Sequence, residues 1–233
     1  MPVYHLTEEY IFPAPHLSEE NGLLAIGGDL SLERLLAAYS SGIFPWYEHG
    51  TPVLWWSPDP RLVLYPDEFY VSRSLRKIIR QQAFRVTLDR AFEQVIRACA
   101  DIQRPGQRGT WLVDEMIRAY TVLHDAGFAH SVEAWHGGRL AGGLYGVSLG
   151  RCFFGESMFA HASNASKVAL YYLTQYLKKR HVEFIDCQVR TAHLVSLGAR
   201  EVTRSRFLTE LKRALHSPSL RGKWTLEHAE DFT

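Results

Sequence analysis

Residues 130–159 read HSVEAWHGGRLAGGLYGVSLGRCFFGESMF, a run in which turn signals separate three stretches of strand-forming residues. His130 to Trp135 predicts a strand, His136-Gly137-Gly138-Arg139 a hairpin turn and Leu140 to Val147 a second strand. Ser148-Leu149-Gly150 predicts another turn and Arg151 to Phe159 a third strand, so the segment is an antiparallel meander. Upstream lie a short strand from Phe84 to Leu88 and two helices, Arg90 to Ala100 and Trp111 to Ala126. Downstream, Asn164 is placed to cap a helix whose last turn carries Lys178-Lys179-Arg180, where cations complement the helix dipole. The strand Glu183 to Val189 then closes the core.

The expected class is α+β. A strand, two helices, three antiparallel strands, a helix and a parallel strand is an order that resembles the acetyltransferase-like (GCN5-related N-acetyltransferase) fold. The first sixty residues differ, being dense in Gly, Pro and Trp, and most of them predict turns. One helix stands out there, with Ser31 as N-cap, Leu32, Leu35, Leu36 and Tyr39 on one face, and Gly42 past its end. Pro58-Asp59-Pro60 is stiff and extended, which puts a boundary near Arg61: a small loop-rich N-terminal domain over 1–61 and a larger domain over 62–233.

A chain of 233 residues is about one and a half times the usual domain of roughly 150, long enough to bury a real core. Hydrophobic content of 46% with 22% charged residues excludes disordered and collagenous classes. The best apolar run, Leu23-Leu24-Ala25-Ile26, is far short of the roughly 20 residues of a membrane span, and Met1 to Tyr10 lacks a secretory signal pattern. A cytoplasmic protein without membrane association is expected. Cys99, Cys152 and Cys187 form no C-x-x-C pair, and His124, His130 and His136 come without a ligand-like carboxylate pattern. Neither a metal nor a cofactor is expected.

Three polar residues stand in apolar surroundings. In Phe184-Ile185-Asp186-Cys187-Gln188-Val189 a period of two puts Asp186 and Gln188 on one strand face. Buried, they must be hydrogen-bonded, either in a structural network or at a cleft that binds something polar. Glu156 sits among aromatics, and a bulge at Gly155 would let Phe153, Glu156 and Met158 converge on one side. Elsewhere Arg73, Arg76, Lys77 and Arg80 fall at i, i+3, i+4 and i+7, one stripe of a helix, which suits either a solvated face or a polyanion anchor. Tyr39, Trp46, Trp111 and Tyr120 are core aromatics or base-stacking platforms.

Five blocks carry a family resemblance: 21–30 (NGLLAIGGDL), 42–46 (GIFPW), 55–61 (WWSPDPR), 154–159 (FGESMF) and 185–188 (IDCQ). In this order the chain closely resembles the bacterial leucyl/phenylalanyl-tRNA-protein transferases. The resemblance implies transfer of Leu or Phe, and less efficiently Met, from aminoacyl-tRNA to the α-amine of proteins beginning with Arg or Lys, which marks them for degradation. It implies adenosine binding by Trp46, Trp111 and Tyr120 and a polar catalytic set of Glu156, Asp186 and Gln188. It also implies an apolar side-chain pocket from Leu144, Phe153, Met158, Leu170, Leu173 and Ile185. The basic stripe at Arg73, Arg76, Lys77 and Arg80 would then grip the tRNA backbone.

Two other readings compete. A coenzyme A-dependent acetyltransferase fits the element order, but 159–167 (FAHASNASK) lacks the glycines of a pyrophosphate-gripping turn. A non-catalytic tRNA-binding or degradation-adaptor module fits the basic stripe and leaves Glu156, Asp186 and Gln188 without a purpose.

Overall fold

A computed structural model describes residues 3–102 and 112–225. The chain is α+β, with two mixed sheets. β1 (Tyr4–Leu6), β2 (Leu23–Gly27), β3 (Phe44–Pro45) and β4 (Leu54–Trp56) form a four-stranded sheet in the order β1-β2-β4-β3, with helix α1 (Leu32–Ser40) between β2 and β3. The Ser31 hydroxyl accepts from the Arg34 N–H at the start of α1, the N-cap expected from the sequence.

The larger sheet begins where the Pro58-Asp59-Pro60 segment ends. It comprises β5 (Arg61–Leu64), β6 (Arg85–Leu88), β7 (Ala129–His136), β8 (Arg139–Leu149), β9 (Cys152–Ala160), β10 (Phe184–Gln188) and β11 (Arg200–Val202), in the order β11-β5-β10-β9-β8-β7-β6. The meander is present as read, the first two strands slightly longer than their apolar alternation and the third shifted by one residue. β10 runs parallel to β9, but it does not close the sheet: β5 pairs antiparallel on its far side and β11 on β5. β5 is only four residues long and β11 three, and neither follows a neighbouring strand in sequence, so no local periodicity announced them.

The remaining helices are α2 (Arg73–Arg80), α3 (Phe92–Asp101), α4 (Asp114–Asp125), α5 (Ala165–Lys179), α6 (Ala192–Val195) and α7 (Arg204–Ala214). α3 and α4 start two and three residues later than the apolar pattern suggested. Asn164 does precede α5, but its backbone is left-handed and its side chain makes no cap; the amide donates to Ser163 instead.

Alternation along β8, β9 and β10 divides the core in two. Tyr145, Val147, Phe154 and Phe184 pack with α3, α4, α7 and the small sheet, while Leu144, Phe153 and Ile185 pack under α5. The first cluster contains Tyr39, Phe44 and Trp55 together with Tyr120 and Phe207, so the small sheet shares a continuous core with the large one. The three histidines spaced six apart each meet a polar partner. His124 Nδ1 lies 2.7 Å from the Ala129 carbonyl, His130 Nδ1 2.9 Å from Asp89, and His136 Nδ1 3.0 Å from the Ala83 carbonyl. All three cysteines are buried free thiols. Among the described residues no helix is long and apolar enough to cross a membrane.

Candidate active site

β9 and β10 pair only as far as Phe154 opposite Asp186, although β9 runs on to Ala160. Two irregularities sit at that parting. On β9, Tyr145 faces Ser157 and Gly146 faces Gly155, which leaves Glu156 as the extra residue of a bulge. Gly146 is required opposite it, since a Cβ there would lie 2.1 Å from the Phe154 carbonyl oxygen. On β10 the register against β5 slips between Asp186 and Gln188, and Gln188 has a left-handed φ of 61°. Asp186 and Gln188 still share a side, as expected: Asp186 meets Arg61 against Phe44 and Phe207, Gln188 reaches Glu156 beside Tyr120, and Ile185 and Cys187 lie in the opposite cluster. What alternation does not show is the slip that sets the Gln188 backbone.

The bulges bring Glu156 and Gln188 together. Gln188 Nε2 donates to Glu156 Oε1 at 2.9 Å, and the Tyr120 hydroxyl donates to Glu156 Oε2 at 2.7 Å. Tyr120 in turn shares a short hydrogen bond with the hydroxyl of Tyr39, which reaches in from α1. With the amide nitrogen toward Glu156 its carbonyl oxygen points away, the orientation that the carboxylate enforces once it is ionised and can only accept. Burial pushes the Glu156 carboxyl from 4.5 up to about 7; the negative charge of Asp186 adds to the rise, and the hydroxyls of Tyr120 and Tyr39 and the Gln188 amide oppose it. Both tyrosines are pushed well above their ordinary range, first by burial and then by the charge of Glu156, so they remain donors.

Asp186 is compensated differently. Arg61 Nε donates to its Oδ1 at 2.8 Å and Arg61 Nη2 to its Oδ2 at 2.7 Å, a bidentate pair with both side chains buried. The guanidinium lies 4.8 Å from the centroid of the Phe44 ring and 4.5 Å from that of Phe207. Asp186 Oδ1 also accepts the Gln188 backbone N–H at 2.9 Å. Sequence reasoning used Arg61 only to mark a boundary. The missing signal was an arginine heading the apolar run Arg61-Leu62-Val63-Leu64, a buried cation in need of the equally isolated acid of β10. For Tyr39 the sequence offers a core or a stacking ring, and no local signal points to its hydroxyl bond with Tyr120.

The other expected residues divide into groups. Leu144, Phe153, Leu170, Leu173 and Ile185 lie in one buried cluster, with Met158 packed against it. Glu156 does not join Phe153 and Met158 on that side as expected, because the bulge aims it at Tyr120 in the other cluster. Tyr120 is fully buried and offers its hydroxyl, not an open ring face. Trp46 is 36% exposed, tilted against Trp56 at 6.0 Å between ring centroids. Trp111 lies outside the described residues. Arg73, Arg76, Lys77 and Arg80 are exposed on α2, whose Leu75 is buried.

Residues 63–212 match the family described as leucyl/phenylalanyl-tRNA protein transferase, and residues 28–59 match the N-terminal domain of the same family. The chain belongs to that family. Similar proteins bearing the name leucyl/phenylalanyl-tRNA-protein transferase include those of Anaeromyxobacter sp. (strain Fw109-5), 61% identical over 97% of both chains, and of Desulfatibacillum aliphaticivorans, 60% identical over the same share. A third, from Anaeromyxobacter dehalogenans (strain 2CP-C), is 58% identical over 98% of both. Among solved structures, L-PGS from Bacillus licheniformis aligns over 86% of this chain and 66% of its own at 14% identity and a TM-score of 0.38, too weak a likeness to define the fold.

For this transferase-family chain, the unequal compensation of the two acids has a measurable consequence. Glu156 holds its proton to about pH 7 when folded but releases it near 4.5 when unfolded, so its contribution to stability is full below 4.5 and is lost as pH rises through 7. The 2.5-unit difference corresponds to roughly 3 kcal/mol. Glu156→Gln removes the titration. The melting temperature of the variant relative to the parent should therefore climb by about 5 °C or more between pH 5 and pH 8; a difference that stays constant with pH contradicts the assignment.

Proposed function

We infer that this chain is an aminoacyltransferase that moves Leu or Phe, and less efficiently Met, from aminoacyl-tRNA to the α-amine of proteins beginning with Arg or Lys. Marking those proteins for degradation is the role that follows, in the cytoplasm where charged tRNA is held. The reading includes an acetyltransferase-like large domain over 62–233, a small N-terminal domain over 1–61, and no cofactor or metal. The observation that carries it is the Glu156–Gln188 hydrogen bond in a chain similar to the named transferases along nearly its whole length.

An aminoacyl ester is already activated. The amine nitrogen bonds to the ester carbonyl carbon, the bond from that carbon to the ribose oxygen breaks, and the proton lost by nitrogen ends on that oxygen. The protein's main task is to hold two substrates together. An α-amine titrates at about 7.7 to 8.0, so part of it is neutral at cellular pH. With its nitrogen engaged by Glu156, Gln188 turns its carbonyl oxygen outward as an acceptor for the attacking amine. Asp186 is assigned to orient Gln188, through the backbone N–H that its Oδ1 accepts. Glu156, titrating close to the α-amine, is the group suited to hold the cationic amino end and relay its proton.

Trp46 and Trp111 are assigned to the adenosine, with Tyr120 contributing through its hydroxyl on Glu156. The aminoacyl side chain is assigned to the cluster of Leu144, Phe153, Met158, Leu170, Leu173 and Ile185. Radiolabelled leucyl-tRNA with model peptides tests the reading. Transfer is expected to Arg and Lys termini and not to Ala, and from leucyl- and phenylalanyl-tRNA but not from isoleucyl-tRNA, whose β-branch clashes in a pocket narrow near Cβ. Stable binding of charged tRNA with no product would favour the adaptor reading, and acetyl transfer from coenzyme A the acetyltransferase one.

Arg73, Arg76, Lys77 and Arg80 are assigned to the tRNA backbone, supported by the exposure of all four on one helix. Neutralising Arg76 and Lys77 together should lower the slope of log affinity against log salt by about one to two units. Affinity for a short aminoacyl-adenosine analogue should stay unchanged. Loss of the short analogue as well would mean that α2 supports the fold, and loss of neither would leave the stripe a solvated face.

A further inference from the structure

We propose that Arg61 is a positioning residue for Gln188, acting through Asp186; the proposal rests on the transferase reading above. The chain of contacts is continuous and buried. Arg61 grips both oxygens of Asp186, at 2.8 and 2.7 Å. One of those oxygens, Oδ1, also accepts the Gln188 backbone N–H at 2.9 Å. That bond spans the two residues between which the β10 register slips, and it holds Gln188 in a left-handed conformation that a residue with a Cβ rarely adopts. The same conformation carries the Gln188 amide nitrogen to Glu156 at 2.9 Å, which leaves its carbonyl oxygen on the side away from Glu156.

A single carboxylate oxygen serving a guanidinium and a backbone N–H must keep one plane. Arg61 sets that plane, because its two parallel N–H bonds leave Asp186 no freedom to rotate. The plane of Arg61 is in turn set by Phe44 from the small sheet and Phe207 from α7, whose rings both lie within 5 Å of the guanidinium carbon. An ammonium cannot reproduce this, since it makes point contacts with no preferred plane. Phe44 of the small sheet and Phe207 of α7 thereby act on the acceptor oxygen at a distance, through Arg61.

A double-mutant cycle tests the proposal with the full chain, leucyl-tRNA and an Arg-initiated peptide. Arg61→Lys should lower kcat by about 10- to 100-fold, the scale of a small misplacement of a reacting group, with KM for leucyl-tRNA changed less than about twofold. Introduced into Gln188→Ala, the same substitution should lower the residual rate by less than about twofold, because the group that Arg61 positions is gone. Equal losses in both backgrounds would overturn the proposal and make Arg61 a residue of the fold alone. Should Arg61→Lys not fold, Arg61→Met combined with Asp186→Asn leaves no unpaired buried charge and keeps an acceptor for the Gln188 N–H. It must show the same dependence on Gln188, and equal losses again overturn the proposal. Failure of the parent chain to make leucyl-peptide counts against the transferase reading; normal parent rates with an additive cycle count against Arg61 only.

Discussion

Two carboxylates, Glu156 and Asp186, are buried within electrostatic reach of one another where β9 and β10 part, and they are compensated unequally. Burying one ionised acid is costly, and burying two together is more so unless each finds partners. Asp186 is matched by a full cation, the bidentate guanidinium of Arg61. Glu156 is met by neutral groups, the hydroxyls of Tyr120 and Tyr39 and the amide of Gln188, and its proton affinity rises into the neutral range. Much of the architecture nearby serves this pair: the bulge that releases Glu156 from the β8–β9 ladder, the slip that turns Gln188, and the helix that delivers Tyr39.

The same constraint explains why the small sheet is fused to the large one. Arg61 opens β5 directly after the stiff Pro58-Asp59-Pro60 connection, so the cation of the Asp186 pair stands at the join. Its guanidinium lies over the rings of both Phe44 of β3 and Phe207 of α7. Tyr39 repeats the pattern through α1 and Tyr120. Two polar chains thus run from the N-terminal elements to the parting of β9 and β10, and both end on Gln188.

What could be read from the sequence followed the range of the interactions. The meander was legible because alternation and turn chemistry act over two to ten residues, and Glu156, Asp186 and Gln188 stood out as polar residues in apolar strands. Arg61 was not legible as part of the site, because its partner is 125 positions away and β5 is too short to show a period. The slip at Gln188 was not legible for a related reason. A bulge adds one residue to a strand, and a period of two carries no warning of it. Tyr39 resembled any aromatic on an apolar helix face until its hydroxyl partner on α4 was in place.

The titration of Glu156 itself decides whether unequal compensation governs this site. Carbon-13 NMR of protein labelled at glutamate carboxyls, with Glu156→Gln used to assign the resonance, reads it directly. One carboxyl should titrate near pH 7 and vanish in that variant. A Glu156 resonance that titrates at about 4.3, as a solvated glutamate does, would contradict the buried network and the role assigned to it.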